Sequence, residues 1–269
     1  MAMTDLASRP VPTRTGGYGV RQAVGAELTK LRSIRSTGRT LFATVVGTLL
    51  ITVLATDSFH HTGRGQLHGF DATNQSLTGL VIGALAIGVL GVLMITGEYS
   101  SGTIRSSLAA TPRRPLFLGA KVGVIAAISL VIGEFLTFSC FFLGRAILSG
   151  RAPVAALGQP GVLRALLLSG AFLALLGMFG LGLGVIIRNT AGAIAAFVGI
   201  VFLVPAVLQA FQAHGNPGRF TPLTILANSV AAVVRQPNQL SPTTGFVLMI
   251  VYCAVTLGIG AVVLLRRDA

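Results

Sequence analysis

The 269-residue sequence predicts an all-α, polytopic membrane protein with six transmembrane helices, and three observations carry that prediction. Hydrophobic residues make up 53% of the chain against 10% charged, with a mean hydropathy of +0.82, a balance that soluble globular domains do not carry. Six apolar runs near 40–56, 76–96, 122–144, 164–187, 191–212 and 244–265 each approach the ~20 residues needed to cross about 30 Å of hydrocarbon. Lys and Arg gather between and beside these runs, which is where a spanning chain holds its charge.

Residues 1–18 are rich in Pro, Gly, Thr and Arg and lack apolar periodicity, so a disordered tail is expected there. Residues 19–39 read as an amphipathic interfacial helix. Val20, Val24, Leu28, Leu31 and Ile34 recur at intervals of three and four, with Arg21, Lys30, Arg32 and Arg35 between them. Such a segment either anchors the first span as a basic stalk or docks on both lipid and a partner. Residues 40–269 then form the transmembrane domain. No signal peptide is visible ahead of the first run, which is expected to stay as an uncleaved span. Only Arg188, Asn189 and Thr190 separate the fourth and fifth runs, which forces an antiparallel helical hairpin.

Gly97 to Lys121 is the polar segment with the densest positive charge, holding Arg105, Arg113, Arg114 and Lys121 against one acid, Glu98. Ser101 or Gly102 can cap a short helix from about Thr103 to Ala110, and Pro112 and Pro115 stop it and start the next. With six spans, the side shared by the N-terminus, this segment, Arg188 and the C-terminus carries 14 of the 20 Lys and Arg, and the other side carries 6. That asymmetry places both termini and Gly97–Lys121 in the cytoplasm. The net charge of +13 is read as topological and lipid-facing rather than as a nucleic-acid surface.

Within the runs, small residues recur four apart: Gly79 and Gly83, Gly180 and Gly184, and Ala191, Ala195 and Gly199. This spacing suits close helix packing, inside the bundle or at a subunit interface. Cys140 and Cys253 lie in apolar runs and are expected to pack rather than to form a disulfide. On the outer side, His60, His61, His68 and Asp71 match no helical ligand spacing, so no metal site is expected. Phe220 to Gln236 is bracketed by Thr221 as cap, Pro222 as first helical residue and Pro237 as terminator, and is too short to span. It reads as an extracellular interfacial or re-entrant helix.

Catalytic patterns are missing: there is no phosphate-binding loop, no His-Glu-x-x-His, no Gly-x-Ser-x-Gly and no paired carboxylates in a span. No catalytic residue and no cofactor of the chain's own is expected. One ionisable residue lies deep in a run. Glu134 is about 18 Å beyond Lys121 at about 1.5 Å per residue, near the midplane. Two roles stay open for it: a place on the cargo route, or a protonated carboxyl hydrogen-bonded to a neighbouring helix through groups such as Thr137 or Ser139. Pro205 interrupts the fifth run and frees a backbone carbonyl, with Gln209 one turn on, so the pair can shape a polar break or simply a packing kink.

Glu98-Tyr99-Ser100-Ser101-Gly102-Thr103-Ile104-Arg105, followed by Leu108, Pro112, Arg113 and Lys121, resembles the E-Y-x-x-G-T-x-R segment of ABC-2 type ABC transporter permeases. The six runs, the basic N-terminal helix and the Leu-Leu-Arg-Arg-Asp ending are similar to actinobacterial members. The resemblance implies a membrane subunit of an ATP-binding cassette exporter in a bacterial cell membrane, working as a homodimer or heterodimer of permeases. It implies a separate ATPase that binds ATP and Mg. Carried over, Gly102 to Ala110 would be the cytoplasmic coupling helix, with Glu98, Gly102, Thr103, Arg105, Leu108 and Arg113 as the coupling residues. Glu134, Pro205 and Gln209 are the pathway candidates, and the apolar runs suggest hydrophobic or amphipathic cargo. The alternative is a stand-alone secondary carrier or a membrane-embedded enzyme. A carrier of that kind would show several intramembrane charges or paired broken helices, and an enzyme would show a catalytic cluster at an interface.

Overall fold

The computed structural model describes residues 19–33, 35–57, 71–110, 113–149, 154–210, 217–232 and 239–266. The tail 1–18, Ile34, His60, His61, His68, Pro112, Pro237 and Arg267 lie outside these residues, as do the side chains of Leu31, Arg32 and Arg35. Every regular element among the described residues is helical. Six helices are long and apolar enough to cross a membrane: Gly38–Asp57, Leu80–Ser100, Arg114–Leu148, Val162–Ile187, Thr190–Ala210 and Pro242–Arg266.

Helix α1 covers Val20–Ser33 and α2 covers Arg35–Asp57, and the membrane-crossing part of α2 begins at Gly38. A short helix leads into the second apolar run. Ala72–Ser76 forms a short α3, capped by Asp71, whose carboxylate accepts from the Thr73 and Asn74 backbone N–H groups; α4 then runs Leu80–Ser100. α4 therefore carries Glu98 in its last turn rather than in a loop. Gly102 follows at φ +72°, a conformation that favours glycine, and turns the chain into α5, Ile104–Ala110.

Helix α6, Arg114–Leu148, is 35 residues long and opens with Pro115 in its first turn. Its start lies eight residues ahead of the apolar run, because a proline-initiated helix continues through polar residues until something stops it. Lys121 is consequently inside a helix. α7, Val162–Ile187, ends at Arg188 in the left-handed conformation, and Asn189 caps α8, Thr190–Val198, by accepting from Gly192 N–H. This gives the expected antiparallel hairpin. A π-helical turn, Gly199–Leu203, joins α8 to α9, Val204–Ala210, with the Val204 N–H bonded to the Gly199 carbonyl. The widened turn sits just ahead of buried Pro205, which has no N–H to offer the ladder.

The helix before the last span, α10, is shorter than the sequence suggests, Pro222–Ser229. Thr221 precedes it, but its hydroxyl donates to the Gly218 carbonyl, lies within hydrogen-bond distance of Thr224 Oγ1 and makes no bond to the first-turn N–H groups. The last span is α11, Pro242–Arg266.

The bundle is built around α7, which packs against α4, α6 and α11 and is the most enclosed of the six. Glycine makes this possible. A Cβ on Gly91 would lie 1.9 Å from the Gly177 carbonyl oxygen, and one on Gly180 would lie 2.2 Å from that of Gly88, so α4 and α7 meet backbone to backbone. The small-residue pairs of the sequence accordingly divide. Gly79, Gly83, Gly180 and Gly184 face close neighbours inside the bundle, whereas Ala191 and Ala195 are exposed and Gly199 has no atom within 4 Å of its Cβ position. Cys140 and Cys253 are free and buried.

Candidate functional site

The ends of α4, α6 and α11 that lie near Gly97–Lys121 define a basic end of the bundle, and α1 and α5 sit against it. The arginines there do more than carry charge. Arg114 donates to the Leu264 and Leu265 carbonyls at 2.8 and 3.2 Å, and Arg188 donates to the Val263 carbonyl at 3.1 Å while lying over the Tyr99 ring. Both bond the carbonyls that the last turn of α11 leaves open, where a cation also meets the negative end of the helix dipole. This fixes the C-terminal end of α11 beside the start of α6 and the end of α7.

Helix α5 is anchored through its apolar side. Ile104 is buried and Leu108 half-buried in an apolar cluster with Ile95, Phe117, Leu118 and Leu264, while Arg105 and Ser106 are exposed. Thr103 Oγ1 shares a hydrogen bond with Ser101 at 2.8 Å, and the Thr103 carbonyl accepts from the Ser106 hydroxyl and the Ser107 N–H, closing the first turn. Arg113 is exposed and occupies the residue before α6. The predicted residues Gly102, Thr103, Arg105 and Arg113 thus lie on the outer side of the turn-helix-turn, and Leu108 on its inner side.

Glu98 points the other way, into an ionic ring that the sequence reading did not foresee. Lys121, fully buried, donates from Nζ to Glu27 Oε2 at 2.7 Å, to Glu98 Oε1 at 2.7 Å and to the Met94 carbonyl at 3.4 Å, with the Phe117 ring at 5.0 Å. Lys30 donates to Glu27 Oε1 at 3.1 Å, to Glu98 Oε1 at 2.9 Å and to Ser107 Oγ at 3.1 Å. Two lysines and two glutamates close a neutral ring. It joins α1, α4 and α6, and through Ser107 it reaches α5.

The charges are strongly unequal in exposure: the side chain of Lys30 is 43% exposed, whereas Glu27 and Glu98 are nearly closed off. Burial lowers the Lys30 pKa, but the Glu98 hydrogen bond and the charges of Glu27 and Glu98 outweigh it, leaving the ammonium above the ordinary lysine value. For Lys121, leaving water is costly, and only full pairing makes its position tenable. Removing one partner of such a buried pair typically costs about 3–5 kcal/mol, because a charge is left uncompensated.

Among the described side chains of α1, Ala23 and Glu27 are buried, while Val20 is 63% and Leu28 42% exposed. The predicted apolar stripe therefore divides: Val20 and Leu28 face outward, Val24 packs against the apolar cluster beside Ala23 and Glu27, and the side chains of Leu31 and Ile34 lie outside what the structure describes. Ala23, Glu27 and Lys30 share one face at helical spacing, and Glu27 is the lone acid in residues 19–39; those were the signals available in the sequence.

The pathway candidates do not converge. Glu134 is half-buried on α6, its carboxyl laid over Gly170 of α7 so closely that a Cβ there would come within 2.4 Å of Glu134 Cδ. Its Oε2 is buried and has no hydrogen-bond partner among the described residues, and the Thr137 hydroxyl donates instead to the Gly133 carbonyl of its own helix. Gln209 lines a cavity of about 780 Å³ at the opposite end, with Asp71, Asn74, Gln75, Thr224 and Asn228. Neither Glu134 nor Pro205 lines it. Asp71 is fixed by backbone there, its Oδ2 accepting from Ala232 N–H at 2.7 Å, and no cluster of metal-ligating groups occurs among the described residues.

Six helices long and apolar enough to cross a membrane, with a short helix seated on the basic end, define a multi-pass membrane protein. A family model described as ABC-2 family transporter protein matches residues 54–269, and the chain belongs to that family. It is therefore a membrane-spanning permease of the ABC transporter type. No curated protein matches the chain. The family match begins within α2, so Glu27 and Lys30 lie ahead of it and Glu98 and Lys121 within it.

Proposed function

We propose that this chain is the permease subunit of a bacterial ABC exporter of hydrophobic or amphipathic cargo, driven by a separate ATPase that grips α5 from the cytoplasm. The carrying observation is the seating of α5: Arg105 and Ser106 face out while Ile104 and Leu108 are anchored in the bundle. A partner that closes on ATP can push on such a helix and move the spans on either side of it. The 14-to-6 division of Lys and Arg supports a cytoplasmic basic end and cytoplasmic termini. ATP and Mg belong to the partner.

A second permease copy, identical or related, completes the transporter in this reading. The outward face of Ala191, Ala195 and Gly199 supports it, since small residues let helix backbones approach closely in lipid. Glu134 and Gln209 are the polar groups that cargo would meet, at the level of α7 and at the far-end cavity. The test is affinity capture of the chain co-expressed with its cognate ATPase, followed by reconstitution. Recovery of the ATPase and ATP-dependent export are expected. Solute movement on a proton or sodium gradient with no ATPase present would overturn the reading in favour of a carrier.

A further inference from the structure

The ring of Glu27, Lys30, Glu98 and Lys121 is more than the basic end needs for cohesion. Apolar side chains of similar volume commonly hold such a position as well as a buried ion network does, so stability alone is a weak reason for four charges here. Their placement is specific. The ring lies where α1, α4 and α6 meet, and Lys30 reaches across from α1 to Ser107 on α5 at 3.1 Å. Apolar contacts resist separation but slide sideways; charge-assisted hydrogen bonds of 2.7–3.1 Å are directional and resist both.

We propose that this ring is the joint that delivers motion of α5 to the bundle, with Glu27, Lys30 and Lys121 acting as positioning residues. The proposal rests on the reading of α5 as the helix gripped by the ATPase. Through Lys30, α5 is bonded to α1. Through Glu27 and Lys121, α1 is bonded to α6, and through Glu98 both lysines are bonded to α4. A push on α5 thus turns α1 and the near ends of α4 and α6 as one body. The outward apolar side of α1, Val20 and Leu28, lets that body move along the lipid surface without exposing new apolar area.

The test uses the full chain in complex with its ATPase. Nitroxide labels are placed at Ala109→Cys in the last turn of α5 and Ser149→Cys at the far end of α6, both exposed, while Cys140 and Cys253 are buried. The separation is measured without nucleotide and with ATP and vanadate. With the ring intact, one separation is expected in both states. Two variants break the joint: Lys30→Met, at a partly exposed position that leaves Lys121 paired, and the double change Glu27→Leu with Lys121→Leu, which leaves fewer buried charges unpaired. Each is expected to keep the ATPase bound and to show a second, ATP-dependent separation. A single unchanged separation in Lys30→Met, or an ATP-dependent shift with the ring intact, overturns the joint. Loss of the bound ATPase in both variants overturns it too, since the ring would then serve docking. Failure of the underlying reading shows elsewhere, as an ATPase that binds equally well after Arg105→Glu with the ring untouched.

Discussion

Gly91→Ala tests the α4–α7 contact on which the fold depends. The added Cβ would lie 1.9 Å from the Gly177 oxygen, 2.9 Å from its carbonyl carbon and 3.1 Å from Leu181 N. Ordinary contact begins at 3.4 Å, so the two helices would have to part by about 1.5 Å. All three obstructing atoms are backbone, and no side-chain rotation relieves them. A gap of that size forfeits half or more of the dispersion between facing atoms, and overpacking costs about 1–3 kcal/mol. The helix-propensity gain of Gly→Ala, about 1 kcal/mol, offsets only part of this. A net loss of about 2 kcal/mol would lower Tm by roughly 4 °C or more at this chain length. Gly123→Ala, where no atom lies within 4 Å of the new Cβ, is the matched control and should hold or raise Tm. Size-exclusion chromatography after stepwise heating in detergent measures both. A Gly91→Ala protein as heat-resistant as Gly123→Ala would refute the backbone contact.

Glu134→Gln keeps shape and hydrogen-bonding capacity while removing the ability to ionise. If the carboxyl meets cargo, the variant should fold and bind its ATPase normally but respond differently to cargo in ATP hydrolysis, and an unchanged response from pH 6 to 8 would restrict Glu134 to packing. For orientation, a membrane-impermeant maleimide added to intact cells should modify Ser149→Cys and spare Ser106→Cys, both exposed at opposite ends of the bundle. The reverse pattern would invert the topology.

The spans were legible because apolar run length is a local property, and α5 because Gly102, Pro112 and Pro115 punctuate it. Boundaries set by caps were mixed: Pro115 was readable as the start of α6, whereas Asp71, which starts α3 ahead of α4, was not. The ionic ring was not legible. Pro115 marks the helix start that puts Lys121 inside α6, but nothing in the sequence shows that α4 continues through Glu98 or that the two charges face each other. For α1, the apolar spacing gave no sign that Val20 and Leu28 turn outward while Val24 packs inward. Which lysine meets which glutamate depends on helix rotation and contact between distant segments, and no periodicity encodes that. The small-residue motifs were visible, but their division into inward glycines and the outward Ala191, Ala195 and Gly199 depends on neighbours supplied by the fold.

The central claim is that a separate ATPase grips this permease at α5, and affinity capture of that ATPase by wild-type and Arg105→Glu chains at matched expression tests it most directly. A charge-assisted hydrogen bond from Arg105 contributes about 1.5–3 kcal/mol. Losing 3 kcal/mol weakens docking about a hundredfold, and like-charge repulsion adds to that. Arg105 is exposed, away from the α4–α7 core, so the variant should insert and purify as the wild type does. The account predicts that it recovers little or no ATPase. Recovery equal to that of the wild type would contradict it.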